Sequence, residues 1–169
     1  MEMFLLIFLI LSLGSIAYAA SQGAPWVPTR SCDIGRIVRL CNLKHNEHFV
    51  ELGCGDGRVC RAVASAYPQA RVEGIELSVF ICVIFWIQNF FTRSRARARC
   101  GNVFKTDLSS ADVVYIFLTP RANDKLKIKL ENELKSGSRV ISYAWPIIGW
   151  NADCVDEKGG AQKIYLYQR

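Results

Sequence analysis

The sequence predicts an α/β domain: a doubly wound, mostly parallel sheet that closes with a C-terminal antiparallel hairpin and is preceded by one N-terminal transmembrane helix. Three observations carry this. VELGCGDGR (50–58) joins an apolar run to a helix-periodic one through three glycines, the strand–loop–helix opening of a βαβ unit. Short apolar runs and helical periodicity then alternate as far as residue 145. Last, two strand-like runs flank Gly159-Gly160, a hairpin signal. At 169 residues the chain supports one domain with a core large enough to fold alone.

Residues 1–20 form the expected anchor. FLLIFLILSLGSIAYAA carries no charge and is about long enough to cross a bilayer. Ala17-Tyr18-Ala19 resembles a signal-peptidase site, which leaves a cleaved signal segment as the alternative. Against that, the leading MEM lacks the basic residues of a signal peptide, and Arg30, Arg36, Arg39 and Lys44 follow the apolar segment. The positive-inside rule then gives a single-pass membrane protein with its body on the cytoplasmic, or matrix-equivalent, side. Residues 21–30 (SQGAPWVPTR) read as a linker and 31–169 as the folded domain.

Within that domain, Ile34, Ile37, Val38 and Cys41 place a helix over 31–43, capped by Ser31 or Thr29. His48 to Leu52 is the first strand, and Val59, Ala62, Val63 and Ala66 give a helix ended near Pro68. RVEGIEL (71–77) is the second strand. The segment 78–91 is a helix apolar nearly all round and too short to span a membrane; its Phe85, Trp86, Phe90 and Phe91 suit lipid, a partner or a crowded core. RSRARARC (93–100) alternates at strand period and suits a sheet edge. DVVYIFLTP (112–120) is the fourth strand, Leu126, Leu130 and Leu134 mark a helix stopped by Gly137, and RVISYAW (139–145) is the fifth strand. NADCVDE (151–157) and AQKIYLYQR (161–169) form the closing hairpin.

The glycine loop has a chemistry of its own. Gly53 and Gly55 match the first two glycines of the dinucleotide fingerprint, but Arg58 replaces the third. Asp56 also stands at the mouth of the following helix, where a phosphate would bind and a carboxylate repels it. A cationic ligand without phosphate suits Glu51, Asp56 and Glu76 better, and S-adenosylmethionine, with its sulfonium, amino group and ribose diol, is such a ligand. Glu76 lies about 20 residues beyond the loop, where an acid takes both ribose hydroxyls. Asp56 also suits a helix N-cap, and Glu51 either a cofactor pocket or a solvated strand face.

GCGDG and GIEL together resemble the first motif and the acidic second-strand end of the seven-strand class I S-adenosylmethionine-dependent methyltransferases, which have a Rossmann-like sheet. An apolar N-terminus, PWVPT, a short helix, VELGCGDGR and a strand ending FLTP are further similar to the small membrane-anchored lysine methyltransferases, whose mitochondrial members act on the adenine nucleotide translocase and the ATP synthase c subunit. The resemblance implies S-adenosylmethionine as cofactor and a lysine of a membrane protein as acceptor. It implies a cofactor set of Glu51, Gly53, Gly55, Asp56, Gly57, Glu76, Asn102, Val103 and Leu118, with Asn102 standing where the family often has an acid for the adenine amino group. Leu118-Thr119-Pro120 lacks the Asn/Asp-Pro-Pro-aromatic signature of enzymes that methylate base or glutamine nitrogens. Trp26, Tyr115, Thr119 and Trp145 are candidates for the acceptor channel, and no catalytic base is assigned, because burial alone lowers an amine pKa.

Composition fits this picture. Seven cysteines without a C-x-x-C pair suit a reducing compartment. His45 and His48 have no further ligands at metal-binding spacing, so no metal is expected. The net charge of +6 beside an anchor suits lipid headgroups. Three rival functions stay open at this level: methylation of a lipid or small hydrophobic acceptor, a non-catalytic cofactor-binding assembly factor, and, against the anchor, an RNA methyltransferase using the arginine row.

Overall fold

The computed structural model describes residues 2–22 and 25–169, so Gly23 and Ala24 of the expected linker lie outside the described residues. The elements follow in the expected order. They are α1 (Glu2–Gln22), α2 (Ser31–Cys41), β1 (His48–Leu52), α3 (Arg58–Ala66), β2 (Arg71–Glu76) and α4 (Val79–Thr92), then β3 (Arg97–Cys100), β4 (Val113–Ile116), α5 (Pro120–Glu133), β5 (Arg139–Tyr143), β6 (Cys154–Asp156) and β7 (Ile164–Gln168). They build a 7-stranded sheet in the order β3-β2-β1-β4-β5-β7-β6. The first five strands are parallel and β7 runs antiparallel between β5 and β6.

β1 pairs with β2 on one side and β4 on the other. The strand order reverses there, which opens a crevice beyond the carboxyl ends of β1 and β4, the usual ligand position in an open α/β sheet. Alternation along β4 sets the two cores. Val113 and Tyr115 face one layer, with Phe49, Ile37, Val63 and Phe85. Val114 and Ile116 face the other, with Leu52, Leu108, Leu126 and Leu130. Every β4 residue is buried, as a central parallel strand requires.

Several local expectations are corrected. Neither Thr29 nor Ser31 caps α2; its N-cap is Arg30, without a side-chain bond. Thr29 is drawn inward instead, where its hydroxyl meets the Tyr115 hydroxyl at 3.0 Å. Asp56 is not the cap of α3. Gly57 holds that position at φ +76°, and a Cβ there would lie 1.9 Å from the buried Phe85 ring. The third strand is shorter than its alternation suggests, because Arg93 adopts left-handed backbone (φ 51°) as the C-cap of α4 and residues 94–96 turn the chain to the edge.

One polar cluster was not foreseen. Arg36 of α2 is buried, and all its guanidinium donors are engaged. Nη1 meets Asp33 at 2.8 Å and the Gln162 carbonyl at 2.9 Å; Nη2 meets the Asp156 carboxylate at 2.6 Å and its carbonyl at 2.8 Å; Nε meets Asp156 at 3.0 Å. Tyr143 donates to Asp33 at 2.8 Å. This cluster pins α2 to the closing hairpin.

Candidate cofactor and acceptor site

A cleft lies at the strand-order reversal, the usual place for a ligand in an open α/β sheet. Gly53 and Glu76 form one side; Asn102, Val103 and Phe104 follow the edge strand; Phe117 and Leu118 come from the tip of the fourth. The linker closes it with Pro25, Trp26 and Val27, and the last turns of α1 add Ile16, Ala19 and Ala20.

Glu76 is 7% exposed. Its two carboxylate oxygens accept from the Gly55 amide at 3.0 Å and the Ser78 amide at 2.8 Å. A carboxylate has about four acceptor sites, so roughly two remain for a ligand. The parallel register of Leu52 with Ile75 brings the end of β2 beside the glycine loop and makes this contact possible.

The loop leaves little for a phosphate. The Gly55 amide already serves Glu76. In the first turn of α3 the Arg58 amide donates to Asp56 at 3.2 Å and the Cys60 amide to Glu51 at 3.1 Å. Amides that would cradle a pyrophosphate at a helix N-terminus are thus occupied by the protein's own carboxylates.

Glu51 and Asp56 therefore sit behind the loop and do not line the cleft. Burial raises the Glu51 carboxyl to about 8, against bonds from the Cys60 thiol and amide that favour ionisation. Burial also opposes ionisation of Asp56, but the Arg58 hydrogen bond and charge win and hold it below the usual carboxylate range. A raised carboxyl pKa means that the folded state holds the proton more tightly than the unfolded chain. Its contribution to stability is fully present below pH 4.5 and lost as pH rises through about 8. Glu51→Gln removes that loss. The unfolding free energy of the variant relative to the native chain is expected to rise by roughly 2–4 kcal/mol between pH 5 and pH 8.5. Denaturant titrations across that range check it, and a difference independent of pH refutes it.

Of the other expected site residues, Trp26 lines the cleft and lies over Gly55, where an added Cβ would come 2.7 Å from the indole nitrogen. Asn102 is on the cleft wall, but its side-chain oxygen accepts from the Phe104 amide at 2.9 Å, which occupies one of the lone pairs expected to face adenine. Three acceptor-channel candidates are elsewhere among the described contacts. Tyr115 is fully buried in the helix layer against Thr29. Thr119 caps α5 by accepting from the Ala122 amide. Trp145 is half-exposed beyond β5, and its carbonyl accepts from Ser142. Sequence reasoning missed Phe104, Phe117 and the end of α1. Phe117 carried a signal, since it precedes Leu118 at the same strand tip.

The cleft fits S-adenosylmethionine. It offers an acid with spare acceptor capacity, an amide side chain and apolar walls, and two amides of the neighbouring helix terminus, those of Arg58 and Cys60, are bonded to carboxylates. Among the described residues no cluster suited to a metal ion occurs.

Comparison with known proteins agrees with this geometry. A family model described as the ANTKMT methyltransferase domain matches residues 51–154. A protein-lysine N-methyltransferase of Saccharolobus islandicus is 33% identical over 85% of this chain and 92% of its own length. The mouse lysine N-methyltransferase named for the ATP synthase c subunit is 28% identical over 80% of this chain, which spans only 54% of that relative. Among solved structures, an RNA methyltransferase from Salinibacter ruber in complex with S-adenosyl-L-homocysteine superposes with a TM-score of 0.80, at 27% identity, over 84% of this chain and 93% of its own.

Proposed function

The chain belongs to the ANTKMT methyltransferase domain family of S-adenosylmethionine-dependent protein-lysine methyltransferases, and we propose that it methylates a lysine of a membrane protein while held at the membrane by its first helix. The observation that carries the reading is Glu76, a buried carboxylate on the cleft with acceptor capacity left for a ribose diol. Gly53, Gly55, Asn102, Val103 and Leu118 complete the cofactor-contacting set. Glu51, Asp56 and Gly57 support it from behind by shaping the loop and satisfying α3. Residues 1–20 serve as anchor, 21–30 as linker and 31–169 as catalytic domain, on the cytoplasmic or matrix-equivalent side.

S-adenosylmethionine, when bound, supplies a methyl carbon made electrophilic by its sulfonium. The protein's task is to hold a neutral lysine amine in line with it, and alignment of this kind is worth on the order of 7–11 kcal/mol. Trp26, Pro25, Phe117 and Leu118 provide an apolar approach; burial there lowers an amine pKa, which favours the neutral nucleophile without a dedicated base. The membrane part of the proposal is supported by α1, whose 20-residue apolar stretch Glu2–Ser21 has a mean hydropathy of 2.3 and is only 6% buried over its most apolar part. The mouse relative, named for the ATP synthase c subunit, supports a membrane-protein acceptor.

The test is to incubate membranes from cells with and without the gene with methyl-labelled cofactor and to separate protein, lipid and RNA. Label in methyl-lysine of a membrane protein is expected. Label confined to extractable lipid or to RNA sinks the acceptor assignment and leaves the cofactor site standing.

A further inference from the structure

We propose that α4 is a second membrane element: its exposed apolar face lies in the lipid surface beside α1, and arginines at its C-terminal end meet anionic headgroups. The proposal rests on the membrane reading above and extends it from a tether to a seat.

α4 contains no charged residue. Ile81, Cys82 and Phe85 face the core, whereas Val79, Val83, Trp86, Ile87 and Phe90 recur at helical spacing on the exposed side. Phe90 and Phe91 are 79% and 78% exposed at the far end. A helix face meeting water normally carries charge; this one carries aromatic and branched apolar groups.

α1 packs at the N-terminal end of α4. The buried or half-buried stripe of α1 is Ser12, Ser15, Ile16, Ala19 and Ala20. Ser15 meets Ser78, the cap of α4, at 3.0 Å, and Ile16 shares the cleft wall with Ile81. Among the described side chains that stripe begins at Ser12, and the helix ahead of it, Glu2–Leu11, is roughly 15 Å long, against a hydrocarbon core of about 30 Å. With α1 packed this way, its apolar length reaches lipid only if the domain lies against the bilayer, which brings α4 down with it.

Charge selects lipid over a second protein surface. Arg93 shares a surface depression with Phe90 and Phe91, and Arg61, Arg93 and Arg95 share the neighbouring one. A basic rim beside an apolar strip is complementary to phosphodiester headgroups over acyl chains. The same seating brings the cleft to headgroup level, within reach of a lysine at the membrane surface.

The full chain in phosphatidylcholine–phosphatidylglycerol vesicles that carry a phospholipid with a photoactivatable acyl chain tests this. Irradiation, trypsin and mass spectrometry should find lipid adducts on both Met1–Arg30 and Val72–Arg93. The Val72–Arg93 yield should fall about fivefold or more in phosphatidylcholine alone. It should vanish in a Phe90→Asp, Phe91→Asp variant that keeps its α1 adducts. Adducts confined to Met1–Arg30 overturn the α4 seat and leave the anchor intact, and adducts on neither peptide remove both. Absence of Val72–Arg93 adducts in a chain that sediments as a dimer overturns the proposal in favour of an α4 face buried between two copies.

Discussion

Glu76→Ala is expected to weaken S-adenosylmethionine binding by roughly 10²- to 10⁴-fold. The carboxylate is the acidic group on the cleft wall, and hydrogen bonds to a charged partner are worth about 1.5–3 kcal/mol each. Loss of two such bonds to a ribose diol gives about 3–6 kcal/mol, or that range of affinity. The substitution also leaves the Gly55 and Ser78 amides without their acceptor, so the loop itself loosens. Glu76→Gln separates the effects: it keeps the shape and one acceptor oxygen, and its affinity should fall between those of the native chain and the alanine variant. Calorimetry gives the constants and a thermal melt confirms folding. Native affinity in a folded Glu76→Ala protein would mean that the ribose is held elsewhere.

Arg36→Met is expected to cost about 3–5 kcal/mol of stability, the usual penalty for breaking a buried ion pair from one side. Asp33 would be left buried without its cation, held by the Tyr143 hydroxyl and the Gln162 backbone, and the Asp156 and Gln162 carbonyls would lose their donors. For a chain of this size that corresponds to a fall in melting temperature of roughly 6–20 °C. Adding Asp33→Asn to the variant should restore part of the loss, because the stranded charge is then removed. A change below about 1 kcal/mol in the single variant would show that the cluster is worth little more than a surface pair.

The fold was largely readable because its signals are local. Alternation in Val113–Ile116, the leucines of α5 and the hairpin around Gly160 each report a period or a turn within about ten residues, and the elements follow the expected order along the chain. The chemistry of the glycine loop was readable in outline, since three acids near one loop argue against phosphate whichever way they point.

Which acid faces the ligand was not readable. Glu51, Asp56 and Glu76 look alike as residue types, yet the first two bond the opening turn of α3 and the third lies on the cleft wall. The Arg36 cluster was invisible for the same reason, since its partner Asp156 stands 120 residues away. A sequence period says which side of an element a residue takes, and so the amino-acid order by itself determined the sheet, the loop and the class of cofactor. Hydrogen-bond partners depend on how distant elements are brought into register, so tertiary structure alone decided that Glu76 faces the cleft, that Trp26 covers Gly55, and that Tyr115 belongs to the core.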